Sequence, residues 1–327
     1  MFEAASIDKR LSQRLSLLEL FALALCAAMV LVFAWYQLHG GNGAYDLTNY
    51  LRAGQGDTSF HFYASWILPL YTLLGFMHPV AAFVLWNLAN IAGVFAATRV
   101  FGGGSKAASA LLTYQLFYTL YYGNITGVLL GGMALCWWGL THKRWGLAGL
   151  GLTLLLTKFQ LGVPLGLALL CLADLSWRER AYSAVVPLLA LLVSLAAYPH
   201  WPVEVIGTIL SNPPNDLSSI SLWQWLGPLA VLLWLPVLLP LSKTKRLILL
   251  TATTALSLPY FQHTDLLALF VLPIGWVPLA GNLSFYLFAK YSWPGLKALA
   301  IIPLGIYLWI GVPATWQWLQ ARLASKR

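Results

Sequence analysis

Asp46 is the side chain in this sequence whose position best suits acid–base chemistry. It ends the segment Gly40-Gly41-Asn42-Gly43-Ala44-Tyr45-Asp46, just beyond the first long apolar segment of a chain that is 60% hydrophobic and only 9% charged. An ionised group near hydrocarbon is costly and usually marks function. A carboxylate at this place can take a proton from an attacking hydroxyl. The alternatives are a solvated loop acid or a carboxylate that caps a helix beginning near Leu47.

Three basic side chains have the chemistry to stabilise an anion, such as the phosphate leaving group of a transfer reaction. They are Lys158, His263 and Arg52. Lys158 stands between two apolar runs, where it either binds an anion or extends its ammonium to the membrane interface. His263 acts by a hydrogen bond or by its charge, because imidazole titrates near pH ~6.5; the alternative is a satisfied polar residue in a turn. Arg52 is close to Asp46 in sequence. An ion pair between the two is a simpler interpretation than a contact between Arg52 and phosphate.

The elements that must position these residues are apolar helices. Mean hydropathy is +0.74 over 327 residues, and several segments approach the roughly 20 residues that cross a bilayer. We predict an all-α polytopic membrane protein with one integral membrane domain, residues 1–327, in which the first crossing is an uncleaved helix rather than a signal peptide. The predicted crossings, about 11 in number, are 17–38, 79–98, 107–122, 126–141, 145–157, 161–174, 182–198, 223–241, 246–259, 264–280 and 298–315.

The distribution of charge predicts the orientation. With the N-terminus in the cytoplasm, twelve Lys and Arg residues fall in inner loops, whereas the outer loops up to Asp265 contain only Arg52 and Lys158. This is the positive-inside pattern of a plasma (inner) membrane protein. The net charge of +9 is therefore attributed to topology and lipid headgroups, and we expect no nucleic-acid partner.

Polar sequence concentrates on the predicted outer face. A substantial first outer loop, 39–66, carries Asp46, and a second long loop spans 199–222. Three tight outer turns join them, at 123–126, 157–160 and 260–265. Nucleotide-activated sugars are cytosolic, so group transfer on this side requires a donor already anchored in the bilayer. A polyprenyl-phosphate sugar meets that requirement, with a carboxylate as base and a cation for the leaving phosphate.

Five short motifs resemble those of the GT-C superfamily of lipid-phosphosugar-dependent glycosyltransferases, and most closely glycosyltransferase family 87, the polyprenol-phosphate-mannose-dependent mannosyltransferases. The resemblance extends from about the first helix to Ala280, and it departs from the family pattern at Asn124, Thr126 and Phe159, where the family has Gln, Asn and Pro. The motifs are Tyr45-Asp46-Leu47-Thr48-Asn49-Tyr50, Phe62 to Leu70, Tyr122-Gly123-Asn124 with Thr126, Ala148-Gly149 followed by Leu156-Thr157-Lys158, and Leu258-Pro259-Tyr260 with His263 and Asp265.

The resemblance implies a GT-C-like bundle and a hexosyltransferase, in which Asp46 is the general base and the anomeric carbon inverts. It implies a polyprenyl-phosphate-linked mannose as donor, an extracytoplasmic glycolipid or glycan as acceptor, and neither a metal nor a cofactor. Lys158, His263 and Arg52 would contact the donor phosphate. Weaker candidates for sugar or acceptor binding are Asn49, Asn124, Gln262, Asp265 and Asn215.

Two other classes of protein compete with the enzyme. A transporter or flippase for a lipid-linked or small substrate requires charged residues deep within several helices and favours inverted repeats; the sequence has almost none of the former and no visible repeat. A non-catalytic assembly subunit would tolerate replacement of Asp46.

Overall fold

The computed structural model describes residues 3–57, 59, 63–102, 108–211 and 219–324, with no account of the side chains of 208–211. Within these ranges the chain is helical, and its nearest approach to a β-structure is an isolated bridge between Ser219 and Gln262. The predicted all-α class is confirmed. Asn215, one of the candidate acceptor-binding residues, lies outside the described residues.

The helices vary widely in length, and several are interrupted by turns. In the first half of the chain they are α1 (Ala4–Ser12), α2 (Leu17–Leu38), α3 (Tyr45–Gly54), α4 (Leu68–Gly75), α5 (Pro79–Phe101), α6 (Ala108–Leu111), α7 (Tyr114–Tyr122), α8 (Thr126–Thr141) and α9 (Trp145–Leu156). They continue with α10 (Phe159–Leu172), α11 (Trp177–Ala197), α12 (Trp201–Ser211), α13 (Trp223–Leu226), α14 (Lys243–Ser257), α15 (Leu267–Phe270), α16 (Leu283–Gly295) and α17 (Ile301–Ala324). Shorter 3-10 segments are Ser65–Ile67, Gly227–Leu238, His263–Leu266, Val277–Asn282 and Leu296–Ala300.

Four helical stretches of the described chain are long and apolar enough to cross a membrane. They are Leu17–Leu38, Pro79–Phe101, Trp177–Ala197 and Val277–Ala324. A fifth is added if α7 and α8, which meet at a bend of 112°, together form one span. These helices make the chain a membrane protein, while a total of about 11 crossings stays a prediction.

The predicted crossings 264–280 and 223–241 differ in form from a continuous α-helix. The segment 264–280 is broken, because α15 ends at Phe270 and helical structure resumes only at Val277. Gly275, with φ +72°, stands in the gap, and Pro273, two positions before it, has no backbone N–H to donate. The segment 227–238 is a 3-10 helix with Pro236 inside it.

A buried ion pair fixes the start of α2 against the end of α5. Ser16 and Glu19 form a capping box at the N-terminus of α2. Glu19 Oε2 also accepts a hydrogen bond from Arg99 Nη2 at 3.0 Å, and Glu19 Oε1 lies 2.9 Å from Arg99 Nε in the ion pair. Arg99 Nη1 donates to the Arg10 carbonyl at 2.8 Å, while Arg10 donates back to the carbonyls of Arg99 and Val100. The amphipathic α1 is thereby attached to the bundle.

The helices that carry the central turns pack closely because small residues face each other. A Cβ atom added to Gly93 of α5 would lie 2.1 Å from the Gly127 carbonyl oxygen of α8, and one added to Gly151 of α9 would lie 2.3 Å from the Cys136 nitrogen of α8. Small residues that let backbones approach in this way are typical of contacts between membrane helices. The turns at the ends of α8 and α9 therefore have a rigid base.

We predict that Glu19→Gln lowers the stability by about 3 kcal/mol, because the glutamine keeps the capping box but leaves Arg99 as a buried cation without its anion. Glu179 occupies the same position in the exposed capping box of α11, so Glu179→Gln is the matched control and should change stability much less than Glu19→Gln. Thermal unfolding of the detergent-solubilised variants measures both. Equal loss in the two variants would contradict the assigned role of the Arg99 pair.

Candidate active site

Four segments that are distant in sequence meet at one end of the bundle. They are the first turn of α3, the turn between α7 and α8, the turn between α9 and α10, and the 3-10 segment after α14. Asp46, Asn124, Thr126, Lys158 and Asp265 come from these segments and are linked by hydrogen bonds. The outer turns predicted from the sequence therefore converge, together with the segment that carries Asp46.

The position of Asp46 follows from how α3 is attached to the α7–α8 turn. Ala44, in the left-handed region with φ 54°, precedes the helix, and its N–H donates to the Tyr121 carbonyl at 2.9 Å. Gly123 has φ +68°, and a Cβ atom there would lie 2.7 Å from Leu47 Cβ. Only glycine fits both this backbone conformation and this close approach. The first turn of α3 is consequently fixed against the turn, with Asp46 beside Asn124.

Asn124 connects Asp46 to the interior. Its Nδ2 donates to Asp46 Oδ2 at 2.7 Å. Its Oδ1 accepts from the Thr126 N–H at 3.0 Å and lies 2.7 Å from Thr126 Oγ1. Because two donors face Oδ1, the amide has one favourable orientation, in which its NH2 group faces the carboxylate.

Lys158 and Asp265 form a buried ion pair. Lys158 Nζ lies 2.6 Å and 2.8 Å from the two carboxylate oxygens of Asp265, and the residues are 1% and 0% exposed. The alternative in which Lys158 extends to the membrane interface is therefore wrong, because its ammonium is directed inward to an acid. Removing one partner of such a pair leaves an uncompensated buried charge, which typically costs about 3–5 kcal/mol.

The environment of Asp46 favours a base. Burial raises the pKa of its carboxyl above the ordinary value of an aspartate, although the hydrogen bond from Asn124 and the charge of Lys158 act in the opposite direction. A carboxylate whose pKa is raised binds a proton more strongly, which is the property that general-base catalysis requires.

His263 is buried beside Lys158 with no hydrogen-bond partner for either ring nitrogen among the described residues. Its ring contacts the aromatic rings of Tyr114, Tyr118 and Trp293, with centroids 4.7–6.2 Å apart. Burial, and to a lesser degree the charge of Lys158, lower its pKa to about 3. The imidazole is therefore neutral at pH 7, and of the two roles predicted for it this favours the hydrogen bond over the charge.

The other predicted site residues are placed differently. Arg52 is exposed, and no salt bridge joins it to Asp46 in the described part of the chain, so the predicted ion pair between them is wrong. Six positions separate the two residues, which directs them to different sides of α3. Asn49 lies three positions after Asp46 and thus shares its face. Gln262 Oε1 is 3.4 Å from Lys158 Nζ.

Two tyrosines near Asp46 were not among the sequence candidates. Tyr50 and Tyr63 place their hydroxyl oxygens 3.3 Å apart, and burial together with the charge of Asp46 raises the pKa of Tyr63, so its hydroxyl keeps its proton. Both residues stand in the motifs around Asp46 and before α4. Buried tyrosines most often serve packing, and the sequence contains no signal that these two interact electrostatically with a carboxylate.

A groove lies between the residues around the start of α4 and the C-terminal half of α11. It is mostly apolar, and its lining includes Trp66, Pro69, Val193 and Ser194. Trp66 connects it to the α9–α10 turn, because its Nε1 donates to Thr157 Oγ1 at 3.1 Å. The groove therefore borders the turn that carries Lys158.

We predict that acidification destabilises the protein through His263. Its folded-state pKa of about 3 is below the unfolded value of about 6.5, so the unfolded chain binds more protons in this window and stability falls as the pH drops below about 6.5. At pH 5 the loss of stability amounts to about 2 kcal/mol.

His263→Phe, which keeps an aromatic ring, should lose less stability on going from pH 7 to pH 5, as measured by thermal unfolding. The exposed His39→Gln variant is the control and should keep the wild-type acid sensitivity; equal sensitivity of all three would contradict the assignment.

Comparison with known proteins agrees with this geometry. Residues 61–271, more than half of the chain, match the family model of glycosyltransferase family 87. Neither a curated protein nor a solved structure matches the chain. The matched range includes Asn124, Lys158 and Asp265, whereas Asp46 precedes it. The chain therefore belongs to glycosyltransferase family 87 and is a membrane glycosyltransferase.

Proposed function

We propose that this glycosyltransferase moves a hexose, specifically mannose, from a polyprenyl-phosphate donor to a glycolipid or glycan acceptor on the extracytoplasmic side of the plasma (inner) membrane. The observation that carries the proposal is the hydrogen-bonded contact between Asp46 and a buried polar network at the convergence of four chain segments. Such a network has a high desolvation penalty within an apolar bundle, and its position at the helix ends is suited to the entry of a lipid-linked headgroup.

In the proposed reaction Asp46 takes the proton from an acceptor hydroxyl as its oxygen attacks the anomeric carbon. The bond between that carbon and the phosphate oxygen breaks, and polyprenyl phosphate leaves with the electron pair. A single displacement inverts the anomeric carbon. The raised pKa of Asp46 supports its role as base, and the neighbouring hydroxyls of Tyr50 and Tyr63 are suited to binding sugar hydroxyls, as are Asn49 and Gln262.

The departing phosphate needs hydrogen-bond donors or positive charge. His263 offers a neutral ring whose two nitrogens are unsatisfied among the described residues, and Lys158 offers an ammonium with Asp265 as its present partner. Asp265 is accordingly proposed to hold Lys158 rather than to bind sugar directly. Arg52, exposed on α3, is suited to a phosphate only if the headgroup extends to the outer surface.

The apolar groove beside Trp66 is the proposed place for the isoprenoid chain. It borders the Lys158 turn through the hydrogen bond of Trp66 to Thr157, and α11, which forms its other wall, is largely exposed along its length. A lipid chain in this groove would place its phosphate near Lys158.

We predict that Asp46→Asn reduces transfer of labelled hexose from a polyprenyl-phosphate donor by about 10²–10⁴-fold, because the amide cannot accept the acceptor's proton. Asp57→Asn is the matched control. Asp57 is an exposed acid shortly after the same helix, where it accepts a hydrogen bond from Ser59 Oγ at 2.6 Å, and its replacement should leave transfer within about threefold of wild type. Unchanged transfer by a folded Asp46→Asn protein would remove Asp46 as the base.

We also predict that the rate of transfer falls on acidification, at a pH above that expected for an ordinary aspartate, because Asp46 must be ionised to act. The Asn124 hydrogen bond lowers the pKa of Asp46, so Asn124→Ala should move the acid limb of the rate profile to higher pH. The control is Asn42→Ala, which changes an exposed amide before α3 and should leave the limb in place. A limb that stays unmoved in Asn124→Ala would show that another group titrates.

A further inference from the structure

The hydroxyl of Thr126 lies between two acceptors and has one proton to donate. Thr126 Oγ1 is 2.7 Å from Asn124 Oδ1 and 3.2 Å from Asp265 Oδ1. A threonine hydroxyl donates a single hydrogen bond, so these two contacts compete. All three residues are buried.

The charge on Asp265 decides which acceptor receives the proton. Lys158 now donates to both carboxylate oxygens and compensates the negative charge, so the shorter contact to Asn124 is favoured. A second anion that draws Lys158 away from Asp265 leaves that carboxylate with more negative charge to satisfy. The Thr126 proton then turns to Asp265, because hydrogen bonds to a charged acceptor are stronger than those to an amide oxygen.

The acceptor to which the Thr126 hydroxyl donates also affects the hydrogen bond between Asn124 and Asp46. A proton donated to Asn124 Oδ1 polarises the amide and strengthens the bond from its Nδ2 to the Asp46 carboxylate, since linked hydrogen bonds reinforce one another. When the proton turns to Asp265, that bond weakens and the ionised carboxylate is less stabilised.

We infer that Thr126 is a positioning residue that transmits the state of the Lys158–Asp265 ion pair to Asp46 through Asn124. For its catalytic meaning this inference rests on the proposed function. The phosphate of a bound donor, on contacting Lys158, then makes Asp46 a stronger base at the moment when a sugar is present to be transferred. Without a donor, the ion pair keeps the base weaker.

Among the described residues, Lys158 is the charged group that lowers the pKa of Asp46 through its charge, with Asp265 paired to it, and the other titratable groups that interact with Asp46 are tyrosines. Tyr50 on α3 itself, Tyr63 and Tyr71 around α4, and Tyr118 on α7 all interact electrostatically with Asp46. Tyrosine hydroxyls are neutral below about pH 10. A titration of Asp46 between pH 4 and pH 8 is therefore free of their ionisation.

The test measures the protonation of Asp46 directly. Purified full-length protein in lipid nanodiscs is treated across a pH series with a hydrophobic carbodiimide, which modifies protonated carboxyl groups, and labelling of Asp46 is followed by mass spectrometry. The probe ligand is a polyprenyl monophosphate, and the corresponding polyprenol, which lacks the phosphate, is its control. The variants are Thr126→Val, which keeps the side-chain shape but removes the hydroxyl, and Thr126→Ser, which keeps the hydroxyl.

In the wild type the phosphate, but not the polyprenol, should move the labelling midpoint to higher pH. Without ligand, Thr126→Val should already label with a midpoint about half a pH unit or more above wild type, and the phosphate should add a smaller shift than in wild type. Thr126→Ser should match the wild type in both conditions. A purely structural role would lower the melting temperature of Thr126→Val without moving the midpoint.

Coinciding midpoints of Thr126→Val and wild type, or equal phosphate shifts in the two, would overturn the inference. The labelling requires no sugar transfer, so the two proposals fail separately. If wild type transfers no hexose but the midpoints shift as expected, the proposed function fails and the link through Thr126 stands. If transfer depends on Asp46 but the midpoints coincide, only the link fails.

Discussion

An ammonium and a carboxylate withdrawn from water within an apolar bundle constrain everything around them. Lys158 and Asp265 lie within 2.6 Å of each other with almost no exposure, and their desolvation is offset only if the geometry is good and further hydrogen bonds satisfy the remaining polar atoms. Thr126 and Gln262 lie within hydrogen-bond distance of the pair. The turns that carry these residues must therefore stay together, and Asn124 extends the same network to Asp46 at its edge.

The Lys158–Asp265 pair lies where helices of the bundle end or bend. The apolar run around α7 and α8 bends by 112°. At the bend the helical hydrogen bonds are interrupted, so that polar backbone groups need other partners. Trp86 and Asn87 of α5 satisfy two carbonyls of the bend, those of Gly123 and Leu120. The site is consequently assembled at helix ends, whose unsatisfied backbone groups allow polar residues to gather.

The sequence predicted the helical class, the long apolar helices α2 and α5, and the polar turns on which the site residues lie. It did not predict which turns meet, because hydropathy identifies segments and not their neighbours; the bond between Asp46 and Asn124 joins residues 78 positions apart. The charge of His263 was equally inaccessible, since it depends on three aromatic rings from other elements. The partner of Lys158 was missed because a lone basic residue at a helix end resembles one that reaches the lipid headgroups.

The most direct measurement is an experimental structure of the protein in nanodiscs with a non-hydrolysable polyprenyl-phosphate-hexose analogue. If the account is correct, the phosphate contacts Lys158 or His263 and the anomeric carbon faces the Asp46 carboxylate, with space between them for an acceptor hydroxyl. A headgroup bound elsewhere, with Asp46 directed away from the sugar, would contradict it.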